Sequence, residues 1–183
     1  PNVIAKRMSV AFRGGSVVFV RRDPVPLFYS TYRERILTWI ALFPTMLPNL
    51  LLPLSGPDGF FDYQLSIYRD QRAGLFAGLD VKAVSAAFAP WFDFKILDFS
   101  TLEAAPQAFV ASLAKAVGAE IEIEIPRLNV ASVERLEDAL KAFPLHLSPN
   151  FAEAIRSCYI SPTLSADREE VLRQWPLTAE HAL

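Results

Sequence analysis

Arg22 and Ser30 are the residues whose types and spacing best suit chemistry. A guanidinium presents a planar fork of donors that matches a phosphate, and a serine hydroxyl adds a rotatable donor. They stand eight residues apart, behind four apolar residues at 17–20 of which three are β-branched. Such a run reads as a buried strand. Asp23-Pro24 follows, then apolar residues at helical spacing. Strand, cation, turn and hydroxyl-bearing helix together describe the carboxyl edge of a sheet, where open α/β sheets take their ligands. Amides at the helix start would add positive potential there. The same residues also suit plain punctuation, with Asp23 as a helix cap, Pro24 at the first helical position and one arginine paired with a surface carboxylate.

Other candidates carry less. Cys158 is the only cysteine, so no intrachain disulfide or thiolate cage can form. It reads as a small buried residue rather than a nucleophile, with no adjacent basic motif to lower its pKa. His146 and His181 lie far apart without ligand spacing, so no protein-held metal is expected. In Arg13-Gly14-Gly15-Ser16 the glycines precede a strand, whereas a phosphate loop follows one; the segment reads as a connector. Tyr29 and Tyr32 have core spacing, Arg33 and Arg35 read as solvent-facing cations, and Arg168 and Arg173 are further cations for an anion to meet. Glu120, Glu122 and Glu124 alternate with Ile121, Ile123 and Ile125, as in an outer strand with one solvated face.

The elements that must position these residues follow from periodicity and punctuation. Residues 2–12 read as a helix closed by Gly14-Gly15, and residues 26–41 as the helix bearing Ser30. Residues 36–54 form the most apolar tract, but Pro44, Pro48 and Pro53 argue against a membrane span. The tract reads as a helix end plus a Pro-rich loop. It is either buried or an apolar lip beside an acceptor pocket, offering a contact for a membrane surface or a protein. Helices are expected over 60–76, 81–88, 100–117 (opened by Ser100-Thr101-Leu102-Glu103 and closed by Gly118), 132–143, 150–159 and 166–175, with a strand at 91–99.

The totals bound the function. At 183 residues the chain fits one domain with a substantial core, and 52% hydrophobic residues exclude disorder. A net charge of −2 supplies no basic field, so nucleic acid is not an expected partner. No basic-then-apolar leader is seen, which suits a cytoplasmic protein; the start at Pro1 reads as a removed initiator or an incomplete chain.

Arg22-Asp23-Pro24, with Ser30 eight residues on, resembles the element by which PAPS-dependent sulfotransferases hold the 3′-phosphate of their nucleotide. The likeness runs more loosely to about Gly118. The segment Phe-Lys-Ile-Leu-Asp-Phe-Ser-Thr-Leu-Glu at 94–103, then a helix ending in glycine, is similar to the stretch after that family's acceptor region. Ser100 and Thr101 stand where acids are common in the family. The resemblance implies an α/β three-layer fold over 1–183, with a mostly parallel sheet flanked by helices, of the P-loop nucleotide-binding type. It also implies Arg22 and Ser30 as nucleotide contacts, PAPS as co-substrate with PAP as product, and no metal. The reaction implied is sulfuryl transfer to a hydroxyl or amine of a small-molecule, lipid-like or carbohydrate acceptor.

The family's lysine-bearing phosphate loop and its His or Glu base precede the Arg-Asp-Pro strand. Only sixteen residues stand there in this chain, and none forms that loop. The implied loop and first strand would lie before Pro1, and the catalytic base is unassigned. The family's C-terminal Arg-Lys-Gly run has no counterpart either. Two classes of function follow: a sulfotransferase, or a sulfotransferase-like binding or assembly module without catalysis. A third is another nucleotide-dependent transferase on a similar sheet.

Overall fold

The computed structural model describes residues 2–12, 14–42, 55–121, 132–143 and 147–175. Among them the chain is mixed α/β and mostly helical, with ten helices and one two-stranded parallel sheet.

The first crossover unit forms as its punctuation dictates. Helix α1 (Asn2–Ala11) ends in a turn where Gly14 adopts φ +71° and Gly15 N–H donates to Phe12 O at 3.3 Å. Strand β1 (Ser16–Arg21) follows, and Asp23 then opens α2 (Pro24–Leu42) by accepting from Val25 N–H at 2.9 Å. The helix expected over 60–76 is two, α3 (Gly56–Gln71) and α4 (Gly74–Leu79). Between them Arg72 takes a left-handed φ of 51° and its N–H returns to Tyr68 O. Buried Gln64 fixes the second start by accepting from Leu75 N–H at 3.0 Å. Asp80 caps α5 (Val81–Phe88), accepting from Ala83 N–H at 2.9 Å.

Strand β2 (Asp93–Asp98) pairs with β1 in parallel, Ser16 opposite Asp93 through Arg21 opposite Asp98. The helix expected over 100–117 is also two, α6 (Phe99–Ala104) and α7 (Pro106–Val117). Pro106 has no N–H to continue the ladder, and the cap is Asp98, not Ser100. Gly118, at φ +69°, closes α7. The remaining helices, α8 (Val133–Lys141), α9 (Pro149–Ile160) and α10 (Ala166–Arg173), lie where periodicity puts them. The alternating strand at 120–125 falls mostly outside the described residues; Glu120 and Ile121 belong to no strand.

The core lies among the helices. Phe28, Tyr32, Ile36 and Ile40 of α2 meet Phe60 and Phe61 of α3, Phe76 of α4, Leu136 of α8, Ile155 and Tyr159 of α9 and Leu172 of α10. The strands stand outside this cluster. Val17, Val18 and Phe19 are only half-buried and Val20 is 38% exposed, which corrects the expectation of a buried strand. A continuous apolar run needs cover on both faces only in the middle of a larger parallel sheet; here α7 is the helix that packs against both strands.

The apolar tract divides. Its first part is the end of α2, where Ile36, Leu37, Trp39 and Ile40 are buried in the core rather than forming a lip. Residues 43–54, including its prolines, lie outside the described residues. Among the described residues no helix is long and apolar enough to cross a membrane.

Candidate functional site

The parallel register makes the carboxyl ends of β1 and β2 flush, with Arg21 facing Asp98. Arg21 Nε and Nη2 donate to Asp98 Oδ2 at 3.2 and 2.5 Å. Asp98 Oδ1 accepts from Ser100 N–H at 3.0 Å and Ser100 Oγ at 2.7 Å, which starts α6. The Arg21 guanidinium, followed by these Ser100 bonds, holds the Asp98 carboxyl down at about 2. Every acceptor direction on this carboxylate facing the protein is occupied, so it is a structural anion at neutral pH.

One residue on, Arg22 lies just past the end of β1 and has a different neighbour. Its guanidinium carbon lies 4.1 Å from the centroid of the Phe99 ring, one rung beyond the Arg21–Asp98 pair. Among the described residues no carboxylate pairs with Arg22. Stacking occupies the face of the guanidinium and leaves its in-plane N–H donors for a planar or tetrahedral oxyanion. The structure therefore divides the two arginines. Arg21 is the one paired with a surface carboxylate, while half-buried Arg22 is positioned by an aromatic ring.

The helix start contributes less than its dipole suggests. Pro24 and Pro26 have no N–H, Val25 N–H is held by the Asp23 carboxylate, and Leu27 N–H donates to Asp23 O at 3.2 Å. All of the first four positions of α2 are accounted for, so no free amide is available to an anion, in contrast to the sequence expectation. Ser30 sits half-buried on α2, about 9 Å along the axis from Pro24 at 1.5 Å per residue. Among the described residues no hydrogen bond joins it to Arg22, whose guanidinium leans toward the β2–α6 junction.

The other residues considered for an anion are engaged elsewhere. Arg168 forms a two-pronged contact with Asp62, at 3.0 and 2.7 Å, beside Asp58 at 3.5 Å. Arg173 pairs with Glu169. Arg33 Nε donates to Tyr159 O at 2.9 Å, whereas Arg35 is exposed as expected. Tyr29 accepts from Leu164 N–H at 3.1 Å, and Tyr32 is fully buried, its hydroxyl pushed up by burial and then by Cys158. Cys158 is half-buried against the core cluster. His146 and His181 lie outside the described residues, among which no group of three or more His, Cys, Asp or Glu is placed to hold a metal.

Sequence reasoning missed Phe99 and the capping role of Asp98. Phe99 has no motif of its own; its place follows only from the pairing register, which sets it beside Arg22. No family model, curated protein or solved structure matches the chain.

Proposed function

We propose that the chain is a sulfotransferase-like domain that holds the 3′-phosphate of PAPS or PAP with Arg22, Ser30 contributing from α2. The observation that carries this reading is a half-buried guanidinium with no carboxylate partner among the described residues, lying over Phe99 at the carboxyl edge of a parallel strand pair. In this reading the two strands belong to a mostly parallel sheet of the three-layer P-loop type, spanning 1–183 as one domain. The acceptor is a small molecule carrying a hydroxyl or amine, of lipid-like or carbohydrate character.

A non-catalytic binding role is the second reading, and a specific feature favours it. Asp23 and Asp98, the acids at this edge, both serve as helix caps, and Asp98 at about 2 is too weak a base for an acceptor hydroxyl.

Calorimetry with adenosine 3′,5′-bisphosphate tests the site. Wild type should bind it better than adenosine 5′-monophosphate, and Arg22→Ala should lose about 1.5–3 kcal/mol, the range for a hydrogen bond to a charged group. Equal binding of the two nucleotides, or equal affinity of wild type and Arg22→Ala, would overturn the assignment. Sulfuryl transfer to a panel of phenols and sugars then separates enzyme from binding module.

A further inference from the structure

A second surface, away from the strand ends, carries its own signature. Helix α1 exposes Val3 (66%), Ile4 (59%) and Val10 (71%), and Phe12 just beyond it is 63% exposed. Its buried anchor is Ala5, and it rests on α5. Successive residues advance 100° around a helix, so Val3 and Val10 are nearly superposed, with Lys6 and Arg7 on either side of them and Ile4 beyond Arg7. The helix contains no acidic residue, and among the described residues neither Lys6 nor Arg7 has an ion-pair partner. In a chain of net charge −2 this is a local cationic, apolar face.

Aromatics gather at the end of α1, on the side of buried Ala5. Gly15 lies against Phe12 and Phe92, and its carbonyl accepts from Asp93 N–H at 3.3 Å. The turn bearing Trp91, itself 47% exposed, therefore borders the end of α1. Apolar side chains at the centre with flanking cations on long stems are what a helix lying in a bilayer interface requires.

We propose that the outer face of α1 docks on an anionic lipid surface, Val3, Ile4 and Val10 entering the acyl boundary while Lys6 and Arg7 meet the headgroups. Charge complementarity selects this occupant over a second copy of the chain, because two such faces would bring Lys6 and Arg7 of each against the other. The proposal does not depend on the nucleotide site.

Vesicle flotation of the 183-residue chain tests it, with phosphatidylcholine alone and with phosphatidylcholine containing phosphatidylserine. Binding should require phosphatidylserine and weaken as salt rises. The double variant Lys6→Glu/Arg7→Glu should lose binding by about tenfold or more, since each cation near an anionic surface contributes roughly fivefold. Val3→Ser/Val10→Ser should also lose binding, and circular dichroism should show both variants folded, as every altered side chain is exposed. Failure to float with phosphatidylserine vesicles, or unchanged binding of the charge-reversed variant, overturns the proposal. So does light scattering that shows a dimer abolished by Val3→Ser/Val10→Ser, which would assign the face to a second copy.

Discussion

Arg21 ends β1 and Arg22 follows just beyond it, and their partners differ. Asp98 takes Arg21, while Phe99 takes Arg22. The carboxyl of Asp98, at about 2, lies below the unfolded value of about 3.9. Its stabilising contribution is therefore complete above the unfolded value and lost as pH falls through about 2. Carboxyl-detected NMR titration should show Asp98 ionised well below the other aspartates. In Arg21→Ala its midpoint should rise part of the way toward the ordinary value, since Ser100 still donates to it. At Arg22, lysine should not substitute for arginine: an ammonium keeps the charge but loses the flat face on Phe99 and the fork of donors. Calorimetry should place Arg22→Lys between wild type and Arg22→Ala for the 3′,5′-bisphosphate. The sequence put Arg22 at a strand end but did not show Phe99, because the first residue of α6 is brought beside Arg22 only by the pairing of β1 with β2.

Helix ends were the most readable elements, since capping chemistry is local. Ser132 accepts from Arg135 N–H at 3.2 Å to begin α8, Ser148 accepts from Phe151 N–H at 3.3 Å to begin α9, and Gly118 ends α7. Ser132→Ala should cost about 1 kcal/mol in urea unfolding, the usual value of such a cap. Gly118→Ala should cost about 1 kcal/mol as well, the penalty for a Cβ at positive φ. No atom lies within 4 Å of the added carbon, so that cost is conformational and not steric. Two expected helices proved to be four for reasons only partly local. Pro106 announces one break, but the turn at Arg72 has no glycine at its left-handed position and depends on the buried Gln64 side chain to start α4. Residue types within a 17-residue helical pattern do not reveal such a partner.

Among the described residues the main buried cluster lies in the helices rather than the sheet. Phe28 is fully buried among Tyr29, Phe60 and Phe61. Phe28→Ala should therefore destabilise by about 3–5 kcal/mol in urea titration, whereas Val20→Ala on the partly exposed strand should cost about 1 kcal/mol or less. Comparable losses at the two sites would contradict this placement of the core. The C-terminal helix is tied to that core by α3: Asp58 accepts from Ser165 N–H at 2.9 Å, and Arg168 clasps Asp62. Arg168 is therefore held between Asp62 and Asp58 and is not offered to an anion. By itself the sequence determined the order of elements, most helix boundaries and the strand–turn–helix around Arg22, because propensity, periodicity and capping act over a few residues. Which arginine is paired, whether the strand is buried and which face of α1 meets solvent were decided only in three dimensions. Each depends on contacts between segments tens of residues apart, and a linear pattern of apolar and charged residues is satisfied equally well by more than one such set.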